Sequence, residues 1–107
     1  MITIKVAEEF SRYPAGRLAK DGPFSGELFR TKLLAPALKE GENEKIIIDL
    51  DGTRGYGSSF LEEAFGGLVR QGFKKEDIKT KLEIRAKNTS LKTEILDYIE
   101  KALPTFA

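Results

Sequence analysis

The 107-residue sequence predicts a single α/β domain spanning 1–107, with a largely parallel sheet and helices packed on it. Two observations carry that expectation. Apolar residues recur with a period of two, or as a short β-branched run, at three places, and segments with helical spacing lie between and after them. Strands that alternate with helices need crossovers, and crossovers bring successive strands back parallel. The length suits one domain with one modest core, since domains commonly hold about 100 to 150 residues.

Ile2, Ile4 and Val6 alternate with Thr3 and Lys5, which predicts a first strand with one face on the core. Residues 11–26, SRYPAGRLAKDGPFSG, hold two prolines and three glycines and read as a loop or a short irregular hairpin. Ser25 is placed to cap a helix whose apolar stripe includes Leu28, Phe29, Leu33 and Ala37. Pro36 has no amide hydrogen, so the helix is expected to stop or bend near Leu34. A polar turn is expected at Gly41–Glu44. Ile46, Ile47 and Ile48 then form a continuous β-branched run, the pattern of a central strand buried on both faces.

Ser59 stands three residues before Glu62, the spacing of a capping box. Leu61, Ala64, Phe65, Leu68 and Val69 follow at helical spacing, and Gly72 is placed to end that helix. Leu82, Ile84 and Ala86 alternate with charged residues and predict a third strand nearer the sheet edge. Asn88, Thr89 and Ser90 offer caps for a last helix with Leu91, Ile95, Tyr98, Ile99 and Ala102 on one face, before Pro104.

Composition excludes several functions. Eighteen basic residues against 17 acidic ones give a net charge of +1, too little to steer the domain to nucleic acid or to an anionic membrane. With no cysteine and no histidine the chain lacks thiolate chemistry, the commonest metal ligand and the commonest general base. The first residues lack a basic start followed by a long apolar run, and no window nears the 18 or so apolar residues of a membrane span, so the cytoplasm is the expected compartment. No cofactor is expected.

Residues 45–53, KIIIDLDGT, resemble the first motif of the haloacid-dehalogenase phosphatases, in which Asp49 would be the nucleophile, Asp51 the general acid/base and Mg²⁺ the metal. That chemistry also needs an acidic pair after a later strand. Glu76 and Asp77 precede the third strand instead, and 107 residues leave no room for that family's core and cap. The simpler expectation is that Asp49 and Asp51 end a strand and Gly52 supplies the turn. A nucleotide- or anion-binding reading rests on GYGSS at 55–59, but the lysine of a phosphate-binding loop is missing and Phe60 replaces the third glycine of a dinucleotide fingerprint.

The whole run 46–69, IIIDLDGTRGYGSSFLEEAFGGLV, resembles the STAS domain, in which a central strand ends in an acidic or small residue plus glycine and a serine pair opens a helix. Residues 22–38, GPFSGELFRTKLLAPAL, resemble the first-helix segment of an uncharacterised bacterial STAS-like family. The resemblance implies a mostly parallel sheet of four to five strands and a non-catalytic regulatory role like that of the anti-sigma-factor antagonists. It makes Ser58 the candidate phosphoacceptor with Ser59 beside it. A kinase-type ATPase or an anti-sigma-like factor is the implied partner. Those antagonists usually carry aspartate before the acceptor serine, whereas this chain has Gly57. Tyr56 and Phe60 flank the serines and read either as docking aromatics or as core residues; with Gly52, Arg54 and Gly57 they make up the expected partner-binding set, and Arg12 and Arg17 are further arginines available to an anionic partner.

Overall fold

A computed structural model describes residues 1–41 and 44–105. Three strands, β1 (Ile2–Lys5), β2 (Ile46–Asp49) and β3 (Leu82–Arg85), form one parallel sheet in the order β1-β2-β3. The α/β class and the central place of the isoleucine run are as expected. The strand number is not: among the described residues the sheet has three strands where the resemblance implied four to five. Residues 11–25, whose prolines and glycines interrupt any alternation, form a loop with one 3₁₀ turn and add no strand.

Register explains the isoleucines. Ile2, Ile46 and Leu82 align across the sheet, as do Ile4, Ile48 and Ile84, and all of them meet the helices in one apolar cluster. Ile47 aligns with Thr3 and Glu83 and faces the other way; it is buried outside that cluster. Every member of the run is therefore covered.

Val6 leaves the strand for a one-turn helix, α1 (Val6–Glu9). The first long helix, α2, runs 26–40 in three continuous pieces, Gly26–Phe29, Arg30–Leu34 and Ala35–Glu40. Ser25 caps it as expected, its Oγ accepting from the Leu28 amide at 3.2 Å. Pro36 does not end it. The preceding turn widens to a π turn, with the Ala35 amide donating to Arg30 O, and this shift in pairing accommodates the proline inside a continuous helix. The turn expected at Gly41–Glu44 falls partly outside the described residues.

The second long helix, α3, runs 58–71 and also contains a π turn, Glu62–Gly66. Gly72 ends it in the left-handed region at φ 116°, and the Phe73 amide reaches back to Leu68 O at 3.0 Å. The capping box does not form. Gly57 is the cap residue, no side chain caps the helix, and Glu62 is held by arginines instead, because a charge-assisted bond outweighs a bond to a neutral amide.

A helix that the sequence reading missed, α4 (Lys75–Lys81), buries only Ile78 and has no side-chain cap, so periodicity left no mark. The last helix, α5 (Thr89–Lys101), is capped by Asn88, whose side chain accepts from the Ser90 amide, and buries Ile95 and Ile99 as expected. No helix among the described residues is long and apolar enough to cross a membrane.

Candidate functional site

The segment after β2 is tied down at several points. Asp49 Oδ1 accepts from the Asp51 amide at 3.0 Å, closing a local turn. Asp51 Oδ1 accepts from the Lys87 amide at 2.9 Å, and the Leu50 amide donates to Arg85 O at 2.9 Å, so this turn is fastened to the chain leaving β3. Gly52 takes the positive φ of 95° that a β-carbon would oppose. The DLDGT aspartates therefore work as acceptors for backbone amides, in agreement with the turn reading. Glu76 and Asp77 sit in the first turn of α4, ahead of β3, and no group of three or more metal-ligating side chains occurs among the described residues. A cavity of about 230 Å³ lies beside the turn, lined by Lys5, Arg12, Asp49, Asp51 and Gly52 among others.

Several amides of the loop are bonded within the chain. The Asp51 amide is used by Asp49, the Arg54 amide donates to Arg12 O at 2.9 Å, and the Gly55 amide donates to Thr53 Oγ1 at 3.3 Å. These bonds occupy the amides of Asp51, Arg54 and Gly55, the last being the first amide of the 55–59 stretch.

Of the residues expected to meet a partner, Gly52, Arg54, Gly57, Ser58 and Ser59 are exposed. Neither serine side chain makes a hydrogen bond among the described residues, and both open a helix of 14 residues, 58–71. Arg54 places its guanidinium 5.8 Å from the centre of the exposed Tyr13 ring, a cation–π distance. Phe60 is a correction. It is 1 % exposed and packs at 5.8 Å against Phe29 and at 6.3 Å against Phe10, so it belongs to the core.

Tyr56 joins surface and core. Its ring lies 5.8 Å from Phe60, and its hydroxyl donates to Leu50 O at 2.7 Å. Burial pushes the Tyr56 hydroxyl up to about 12, and nearby Asp49 and Asp51 push the same way. A phenol that ionises less readily when folded contributes stability below its ordinary value of 10.0 and loses it as pH rises toward 12. Tyr56→Phe is therefore expected to reduce the loss of stability between about pH 10 and pH 12. Urea unfolding at pH 8, 10 and 11 checks this; an unchanged pH slope would show that Tyr56 does not ionise with unfolding.

Beneath the site lies an ion cluster that sequence reasoning missed. Arg17 donates to Glu62 Oε1 at 2.6 Å, so this arginine is engaged inside the fold and is not a free contact for a partner. Arg70 holds both oxygens of Glu62 at 2.8 and 3.0 Å. Arg30 donates to Glu63 Oε2 at 2.8 Å and to Glu63 O at 2.5 Å, while its Nε is buried without a partner. Room for Arg30 comes from Gly67, where a β-carbon would sit 1.9 Å from Arg30 Nη1. The available signal was the Gly66–Gly67 pair inside an otherwise apolar helical pattern, since such glycines often mark a close approach.

Comparison with protein families gives a match. The profile of the family described as "STAS-like domain of unknown function (DUF4325)" matches residues 25–92, from the cap of α2 into the first turn of α5. Comparisons with curated proteins and with solved structures gave no match.

Proposed function

The chain belongs to the family of STAS-like domains of unknown function, and from that premise we propose that it is a non-catalytic regulatory module that docks to a cytoplasmic protein partner through the loop 52–58 and the helix 59–71. One observation carries this reading most directly: Ser58 and Ser59 are exposed and free of side-chain hydrogen bonds among the described residues, at the start of a long helix. Gly57 holds the cap position, so capping does not occupy either serine.

Phosphorylation at Ser58, or at its neighbour Ser59, is the proposed switch. A phosphate there adds a charge of about −1.5 to −2, gains from the helix dipole, and changes any interface that covers the loop. Gly57 in place of aspartate means that the modifying kinase reads something other than an acidic residue before the acceptor. Arg54 and Tyr56 are the other proposed contacts, and a kinase-type ATPase or an anti-sigma-like factor is the proposed partner. Asp49 and Asp51 each give Oδ1 to a backbone amide, which favours the turn reading over the phosphatase one.

Capture of partners from the native host, with intact-mass measurement of bound and free pools, tests the proposal. The expected result is a stable partner and a phosphate that maps to Ser58 or Ser59 and differs between the pools. Absence of both partner and phosphate would overturn it. As a control, Ser58→Ala and Ser59→Ala should shift folding stability by no more than about 0.5 kcal/mol, because both positions are exposed and make no bond to lose.

A further inference from the structure

The sheet ends abruptly at β3. Among the described residues β3 pairs with β2 alone, and its outer edge has no strand beside it. In a parallel ladder successive residues alternate in the direction of their hydrogen-bonding groups. Arg85 O accepts from the Leu50 amide, so Glu83 and Arg85 turn their peptide groups toward β2, while Leu82 and Ile84 turn theirs outward. Beside that edge runs a groove of about 720 Å³ between β3 and α5, with Leu82, Ile84 and Leu96 contributing apolar surface. Leu96 lies off the buried stripe of α5 and is 38 % exposed.

An open edge beside a groove with an apolar floor and a rim of charged residues such as Lys79, Lys92 and Glu100 is a template for another strand, and natural proteins usually cover or charge such an edge. Here the charges on the strand are arranged to match themselves. The core of β3 is Glu83-Ile84-Arg85, and both charged side chains are about half exposed on the face opposite Leu82 and Ile84.

We propose that the β3 edge is a self-association surface, on which a second copy adds its own β3 antiparallel about a twofold axis through Ile84. In that register Ile84 faces Ile84 of the second copy, and their outward peptide groups form a closely spaced pair of hydrogen bonds. Glu83 falls opposite Arg85 of the second copy, and Arg85 opposite its Glu83, giving two cross-strand pairs of opposite charge. Glu83 and Arg85 of one chain already lie 3.4 Å apart, so both side chains are on the same face and within reach of that exchange. The isologous contact closes on itself, joins two three-stranded sheets into one of six, and brings the second copy's Ile84 to the groove beside Leu96. The contact is small, so the dimer is weak and depends on concentration.

Sedimentation velocity from about 10 μM to about 1 mM tests this, a range that spans weak association. Wild type should shift from monomer toward dimer. E83R places arginine opposite arginine and R85E places glutamate opposite glutamate, so each variant alone should weaken association by about tenfold or more. Mixed together, the two variants restore both pairs in a heterodimer, and association should return to the wild-type level. Both side chains are exposed, so circular dichroism should show each variant folded. A wild type that stays monomeric throughout, single variants that associate like wild type, or a mixture that stays monomeric would each overturn the proposal.

Discussion

Phe60→Ala is expected to cost about 3–5 kcal/mol of folding stability, the range for removing a buried aromatic ring. Phe60 sits where the two long helices begin, stacked on Phe29 with an angle of 28° between the rings and in contact with Phe10 and Tyr56. Collapse around the lost ring is restricted on the neighbouring side, because Gly26 already brings α2 so close that a β-carbon there would lie 2.4 Å from Phe60 O. Chemical denaturation measures the effect. A loss below about 1 kcal/mol would mean that the ring is not packed as described, since surface substitutions stay within about half that value. The same variant separates core from docking surface. Weakened partner binding by Phe60→Ala should follow its loss of stability, whereas Arg54→Ala should affect binding and leave stability nearly unchanged.

Glu63→Ala is expected to destabilise by about 3 kcal/mol, as when one member of a buried ion pair is removed and the other stays. Arg30 and Glu63 are only 12 % and 13 % exposed, and without the carboxylate the Arg30 guanidinium retains only the Glu63 carbonyl as a partner. Gly67→Ala should act on the same group by displacing Arg30. Its cost should therefore be smaller in the Glu63→Ala background than in wild type, a coupling that a double-mutant cycle measures. Additive costs would show that Arg30 moves aside freely. The neighbouring Glu62 gives the cluster a pH signature. Hydrogen bonds from Arg70, and then from Arg17, hold its carboxyl below its usual value of 4.5 despite partial burial. A carboxyl depressed in the folded state contributes stability above that value and loses it as pH falls below it. Glu62→Gln should therefore be less stable than wild type at pH 7, and the gap should narrow on acidification.

Strand and helix identity was legible where the pattern was dense. Alternation at Ile2–Lys5, the isoleucine run of β2 and the stripe 61–69 all became elements of the expected kind, because burying one face of a strand or helix imposes that spacing. The short helix Lys75–Lys81 was illegible since it buries a single side chain. Pro36 misled because only the hydrogen-bond pattern shows that the turn before it widens enough to accommodate it. In the candidate site, the turn chemistry of Asp49, Asp51 and Gly52 could be read locally. Phe60 could not be sorted from Tyr56 by sequence, since both are aromatic residues beside the serines and only packing decides which one faces water.

The sequence by itself determined the α/β class, the central strand, the end of α3 at Gly72 and the family, since each of these rests on residues close together in the chain. Tertiary structure alone decided that Asp51 serves the Lys87 amide, that Arg17 and Arg70 take Glu62 from its expected cap, and that the β3 edge has no neighbouring strand among the described residues. The physical reason is range. A spacing rule acts over one or two turns, whereas Arg17 and Glu62 are 45 residues apart and meet only after the core has closed.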